Sequence, residues 1–138
     1  MTSRIDQLPH KPPMRLVEEI VEVQPGLARC RRRTRPDDWF FQGHFPGEPV
    51  VPAIVLAELL AQTGGLAAGA ASGQATPLRL RVAALGPLKF PAAAGPDMLL
   101  EASARCVGRL GRLYKIEGEV TADGVLVAEG SLTLGSAP

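Results

Sequence analysis

The sequence has few of the residues on which several kinds of site depend. Its 138 residues include two cysteines, Cys30 and Cys106, which form no CxxC pair and no metal-ligand spacing. We therefore expect neither a disulfide scaffold nor a metal site. Aromatic residues make up 4% of the chain and the formal net charge is +1. Nucleic-acid-binding proteins are usually basic and stack bases on aromatic rings, so we expect no nucleic-acid partner.

Signals for secretion and for membrane insertion are also weak. The first ten residues contain no apolar run, so we expect no secretory signal and a cytoplasmic location. Residues 50–72 form an apolar stretch long enough to span a membrane. Pro52, Gly64-Gly65 and the ionisable Glu58 interrupt it. We interpret it as a buried core helix without membrane association, within a single domain over residues 1–138.

The remaining pattern predicts one helix among several strands. The helix is predicted over residues 52–71, with Pro52 suited to its first turn. Segments rich in β-branched residues or alternating in polarity predict strands over 14–23, 27–35, 78–90, 99–107, 113–121 and 125–134. Asp123-Gly124 is a hairpin signal. Strands with one segregated helix indicate an α+β fold with an antiparallel sheet. The small side chains of the helix favour a sheet wrapped around it.

Residues 39–51 predict a shaped loop that carries a candidate catalytic histidine. Two prolines and two glycines in this stretch exclude a regular helix. His44 lies between Gly43 and Phe45-Pro46-Gly47, and loops of restricted geometry can hold a side chain in a fixed place. The alternative is a structural or solvated loop histidine.

Glu58 is the second unusual residue, because it is the only charged residue between Glu48 and Arg79. A carboxylate buried without a partner is costly. Gln62 follows one helical turn later and shares its face of the helix. A protonated carboxyl close to a neutral imidazole is a competent acid–base pair. The alternative is a glutamate that is held by backbone donors or points to water in a groove.

These residues belong to a longer recognisable pattern. Residues 43–52, Gly-His-Phe-Pro-Gly-Glu-Pro-Val-Val-Pro, followed by residues 56–62, Leu-Ala-Glu-Leu-Leu-Ala-Gln, closely resemble the FabZ-type (3R)-3-hydroxyacyl-[acyl-carrier-protein] dehydratases. Residues 8–18 and 40–42 are similar to the same family. The resemblance implies a hot-dog fold, in which a curved antiparallel sheet wraps a long central helix.

The resemblance also implies an activity. The family removes water from (3R)-3-hydroxyacyl thioesters on acyl carrier protein, giving trans-2-enoyl thioesters in fatty-acid or polyketide-like biosynthesis. It assigns His44 and Glu58 as the catalytic pair. Each site takes its histidine from one subunit of a homodimer and its glutamate from the other, and three dimers often form a hexamer. No cofactor is expected, because the substrate arrives on the phosphopantetheine of the carrier.

Further site residues are expected around this pair. Backbone donors at the helix N-terminus would stabilise the enolate-like oxygen. The residues expected to contact substrate are Phe45, Gly47, Pro52, Ala53, Gln62 and Phe90. The family usually has glycine where this chain has Ala53, and the segment 95–97 also departs from the family pattern. Carrier-protein docking is expected at Arg29, Arg31, Arg33 and Arg35, for which a solvated strand face is the alternative.

Two other functions are compatible with the same fold. One is an acyl thioesterase, which would need an activated water. The other is a non-catalytic subunit that binds acyl carriers, an alternative kept open by Ala53 and the altered segment 95–97. The presence of both His44 and Glu58 favours the dehydratase.

Overall fold

The computed structural model describes residues 4–73 and 79–136. Within them lie one long helix, six strands and two short 3-10 helices, Arg4–Gln7 and Trp39–Phe41. The long elements are β1 (Glu19–Gln24), β2 (Leu27–Arg33), α1 (Ala53–Ser72), β3 (Leu80–Lys89), β4 (Leu99–Leu110), β5 (Leu113–Ala122) and β6 (Val125–Ser136). Residue 78, the first of a predicted strand, lies outside the described residues.

The six strands form one antiparallel sheet in the order β1-β2-β4-β5-β6-β3. Helix α1 packs against one face of this sheet, chiefly over β4, β2 and β5. Strand β3 pairs only with β6, so it forms one edge of the sheet. The predicted α+β hot-dog fold is confirmed.

The core lies between α1 and the inner face of the sheet. Leu59 and Leu60 of the helix and Ile116 of β5 are fully buried. Gly64 faces Ile116 so closely that an added Cβ would lie 2.7 Å from its Cγ2 atom. By length and composition α1 could cross a membrane, yet 67% of its apolar window is buried inside the fold. It is a core helix, and this supports a soluble protein.

The six strands differ from their predicted bounds by one to five residues, and the strand predicted over 27–35 ends at Arg33. The strand predicted from residue 14 begins only at Glu19, because residues 14–16 bind the helix instead. The strand predicted over 99–107 continues to Leu110, so only Gly111-Arg112 separate β4 from β5. Strand β3 continues through Gly86-Pro87 with a register shift between Leu85 and Leu88. An edge strand tolerates proline because its outer N–H groups need no partner strand.

Candidate active site

The loop that carries His44 is fixed at both of its ends. The short helix Trp39–Phe41 buries Phe40 and Phe41, and the amide of His44 donates to the carbonyl of Phe41 at 3.1 Å. After the loop, the amide of Val50 donates back to the carbonyl of His44 at 2.8 Å. Gly43 has a φ of 77°, a conformation that suits glycine. The backbone therefore holds His44 in one place.

The imidazole of His44 is oriented by the same loop. Its Nδ1 atom lies 3.0 Å from the carbonyl oxygen of Val50. A carbonyl oxygen can only accept a hydrogen bond, so we assign the proton to Nδ1. This tautomer leaves the lone pair on Nε2. The ring stacks on Phe45 with 4.3 Å between centroids, and His44 is half-buried.

Helix α1 starts directly after this loop and presents free backbone donors. Pro52 is its N-cap, with φ −59° and ψ 142° and no side-chain cap. In residues 4–73 and 79–136, no hydrogen bond uses the amides of Ala53 or Ile54, and both residues are exposed. The positive end of a helix dipole also lies here. The helix start can therefore bind an oxyanion.

Glu58 lies further along α1, on a partly open face. Its side chain is 29% exposed. The amide Nε2 of Gln62 donates to Glu58 Oε2 at 3.0 Å, and Nε2 of His10 lies 3.9 Å from the same oxygen. A glutamate held by one side-chain hydrogen bond, with its other oxygen uncommitted among the described residues, suits an acid that delivers a proton.

Gln62 connects Glu58 to the leading segment of the chain. Its side chain is 1% exposed. The amide of Leu16 donates to Gln62 Oε1 at 2.9 Å, and Gln62 Nε2 donates to the carbonyl of Met14 at 2.7 Å. Because an N–H must face an acceptor, these contacts determine which end of the amide faces Glu58. The structure gives Gln62 an orienting role, while its contact with substrate stays a prediction.

Three other predicted contact residues are accessible to solvent. Phe45 is 55% exposed, Gly47 is exposed, and Phe90 follows the end of β3 with an exposed ring. Within the described part of the single chain, no hydrogen bond or ion pair joins His44 to Glu58. The described residues also contain no group of three His, Cys, Asp or Glu side chains that could hold a metal ion.

His10 is a neighbour of Glu58 that the sequence analysis did not predict. It precedes Glu58 by 48 positions in the chain, and no local periodicity links residues so far apart. The one available signal was rarity, because the chain contains only two histidines.

Arg29, Arg31 and Arg33 of β2, with Arg35 just after it, are largely compensated by nearby carboxylates. Three of the four residues expected to dock a carrier form ion pairs: Arg29 with Glu22 at 2.9 Å, Arg31 with Glu101 at 3.0 Å and Glu19 at 3.6 Å, and Arg35 with Glu18 at 2.6 Å. Arg33 differs, since its guanidinium has no carboxylate partner among the described residues and contacts the carbonyl of Asp97 at 3.5 Å. The strand therefore offers less free positive charge than its sequence indicates.

The Glu18–Arg35 pair changes the acidity of the carboxyl group. Partial burial acts to raise the pKa of Glu18, but hydrogen bonds from the Arg35 guanidinium and from the Arg33 amide act in the opposite direction. Their combined effect lowers the pKa below its ordinary value. Glu18 is consequently ionised at neutral pH.

Comparisons with known proteins show the family to which the chain belongs. A family model described as a FabA-like domain matches residues 8–131. The chain belongs to the FabA-like family. The resemblance found in the sequence is thereby confirmed, and the match includes both His44 and Glu58.

Curated members of the FabA-like family match over most of the chain. The 3-hydroxyacyl-[acyl-carrier-protein] dehydratase FabZ of Nitratidesulfovibrio vulgaris strain Hildenborough is 34% identical over 128 residues, which are 91% of this chain and 83% of that protein. FabZ of Lactococcus lactis subsp. cremoris strain MG1363 is 30% identical over 133 residues, covering 96% and 92%.

Solved structures confirm the fold. The dehydratase heterocomplex ApeI:P from Xenorhabdus doucetiae superposes with a TM-score of 0.81 at 19% identity, over 96% of this chain and 90% of that chain. A hypothetical thioesterase with coenzyme A from Streptococcus pneumoniae gives a TM-score of 0.62 at 17% identity, over 86% and 84%. At these identities the likeness concerns the fold alone.

Proposed function

We propose that the chain removes water from (3R)-3-hydroxyacyl thioesters carried on acyl carrier protein, giving trans-2-enoyl thioesters in fatty-acid biosynthesis. The FabZ relatives, which align over most of the chain, support this activity. One structural observation carries the proposal most directly. The 3.0 Å contact between Nδ1 of His44 and the carbonyl of Val50 leaves Nε2 of the imidazole as a free base.

The proposed reaction needs one base and one acid. Nε2 of His44 takes a proton from the acyl carbon next to the thioester carbonyl, and the electrons of that C–H bond form the new double bond. The bond between the next carbon and its hydroxyl breaks as Glu58 gives that hydroxyl a proton, so that water leaves. A proton then passes from His44 back to Glu58 and restores both groups. No cofactor takes part in these steps.

Charge that develops on the thioester oxygen needs hydrogen-bond donors. The free amides of Ala53 and Ile54 at the positive end of α1 are suited to this task. Ala53 replaces the glycine usual in the family, and its exposed methyl group narrows the approach to these amides.

The proposal includes a homodimer with a shared site. In the described part of the chain, no hydrogen bond or ion pair joins His44 to Glu58. This is compatible with a site that takes the two residues from different subunits. Strand β3 supports the dimer, because it is an edge strand with exposed Val82 and Leu85. Pairing of β3 of one subunit with β3 of the other would cover this edge in both subunits. We place this dimer and its carrier partner in the cytoplasm.

A direct assay tests the proposal. A crotonyl thioester of acyl carrier protein loses the ultraviolet absorbance of its conjugated double bond when it is hydrated, which is the reverse of the proposed reaction. We expect this loss with no release of free thiol. Thiol release would indicate a thioesterase, and no change in either signal would indicate a subunit that only binds acyl carriers. Either result would refute the dehydratase.

A further inference from the structure

His10 has an unusual environment for a residue in a leading segment. Its side chain is 26% exposed, yet its Nδ1 atom is fully buried and has no hydrogen-bond partner in the part of the chain described. Its other ring nitrogen, Nε2, faces Oε2 of Glu58 at 3.9 Å. Of its two ring nitrogens, Nε2 is therefore the one with a polar neighbour in the described part of the chain, and that neighbour is the proposed acid.

The buried nitrogen indicates the tautomer of His10. A hydrogen on Nδ1 would be a buried donor without an acceptor, which is costly, whereas a bare nitrogen there is tolerated more easily. We therefore assign the hydrogen to Nε2, the nitrogen that lies 3.9 Å from Oε2 of Glu58. His44 has the opposite arrangement, with its hydrogen on Nδ1.

The segment around His10 is anchored on both sides. Leu8 and Leu16 are buried in the core. The amide of Leu16 and the carbonyl of Met14 are both bound by Gln62 of α1. His10 thus has a fixed position relative to the helix that carries Glu58.

We propose that His10 is a positioning residue for Glu58 in the dehydration, an inference that rests on the proposed function. Gln62 donates a hydrogen bond to Oε2 of Glu58, and Nε2 of His10, to which we assign a hydrogen, lies 3.9 Å from the same oxygen. A proton on Oε2 would face these hydrogens, so the acid carries its proton on Oε1 and delivers it from there. The 3.9 Å separation is about 1 Å longer than a hydrogen bond, and such contacts tighten when substrate binds.

Three substitutions separate a donor role from a space-filling role. The amide nitrogen of glutamine can occupy the place of Nε2, whereas the shorter asparagine side chain reaches only the region of Nδ1. We expect His10→Leu and His10→Asn to lower kcat about 10- to 100-fold with KM little changed, because only the geometry of the acid is lost. His10→Gln should recover most of that loss. Equal kcat losses in all three variants, or no loss in His10→Leu, would overturn the proposal.

A second measurement does not depend on activity. The chain has only two histidines, so nitrogen-15 NMR of the full-length protein can be assigned with the His44→Asn variant. We expect His10 to be the Nε2–H tautomer and His44 the Nδ1–H tautomer. An Nδ1–H tautomer of His10 would overturn this inference even in an active dehydratase. An inactive wild-type protein with the expected tautomers would instead refute the proposed function.

Discussion

The imidazole of His44 and the carbonyl of Val50 are joined by a 3.0 Å contact within one loop. The contact occupies Nδ1 and leaves Nε2 as the nitrogen that can accept a proton. A second bond, from the amide of Val50 to the carbonyl of His44, closes the same loop. The fold thus prepares the base before any substrate arrives.

A substitution can remove this base and preserve the loop. Asparagine at position 44 can still donate from its side chain to Val50 but has no nitrogen in the place of Nε2. We expect His44→Asn to lower dehydratase turnover at least about 100-fold, the usual contribution of a positioned base. Its thermal unfolding midpoint should stay close to that of the wild type. A folded variant with near-normal turnover would exclude His44 as the base.

The shared site can be tested by mixing two inactive proteins. Glu58→Gln should lower turnover at least about 100-fold, because an amide cannot donate the proton that the leaving hydroxyl needs. Co-refolding Glu58→Gln with His44→Asn should recover activity, since one of the two sites in each hybrid dimer would contain both native residues. Mass spectrometry of the intact dimers would verify that hybrids form. Hybrids without activity would place both residues of a site in one subunit.

Carrier docking on β2 should depend mainly on Arg33. Its guanidinium has no carboxylate partner in the described residues, whereas Arg29 is paired with Glu22. We expect Arg33→Gln to raise KM for a carrier-linked substrate more than the matched Arg29→Gln, with kcat unchanged. The difference should shrink as salt screens the exposed charges and be absent with a short pantetheine thioester. Equal KM values for the two variants would contradict docking at Arg33 and favour the alternative, a solvated strand face.

The adjacent glycines of α1 should respond oppositely to alanine. A Cβ at Gly64 would lie 2.7 Å from Cγ2 and 3.0 Å from Cγ1 of Ile116, whereas a Cβ at Gly65 would meet no atom within 4 Å. We expect Gly64→Ala to lower the free energy of unfolding by about 1–3 kcal/mol through overpacking. Gly65→Ala should raise it by about 0.5–1 kcal/mol, because alanine favours the helix. Urea unfolding measures both, and the same sign for both would contradict the packing described.

The stabilisation provided by the Glu18–Arg35 pair should depend on pH. Because folding lowers the pKa of Glu18 from its ordinary value of 4.5, the stabilisation is present above that value and is lost as pH falls through the folded pKa. Glu18→Gln should therefore unfold at a lower urea concentration than wild type at pH 7, and the difference should vanish in acid. Glu129→Gln, which removes a charge with no ion pair in the described part of the chain, controls for net charge. A pH-independent difference would exclude this linkage.

The sequence alone determined the features that depend on neighbouring residues. Alternation and turn signals predicted most strand positions, and the apolar stretch predicted α1 to within one residue at each end. His44 and Glu58 were predicted as the catalytic pair because each is chemically isolated in its own segment, a histidine in a Gly-Pro loop and one charge in an apolar helix.

The tertiary structure decided the contacts between distant segments. The sequence of residues 14–16 predicts a strand, yet these residues lie outside the sheet. Gln62, 46 positions from Leu16, instead forms hydrogen bonds with the amide of Leu16 and the carbonyl of Met14. The arginines over residues 29–35 predict a basic patch, yet Arg29, Arg31 and Arg35 pair with carboxylates, among them Glu101 of β4. His10 meets Glu58 for the same reason. Periodicity indicates which face of an element is buried. The partner of each polar group depends instead on how whole elements pack, and the sequence pattern contains no information on the distance between residues of different elements.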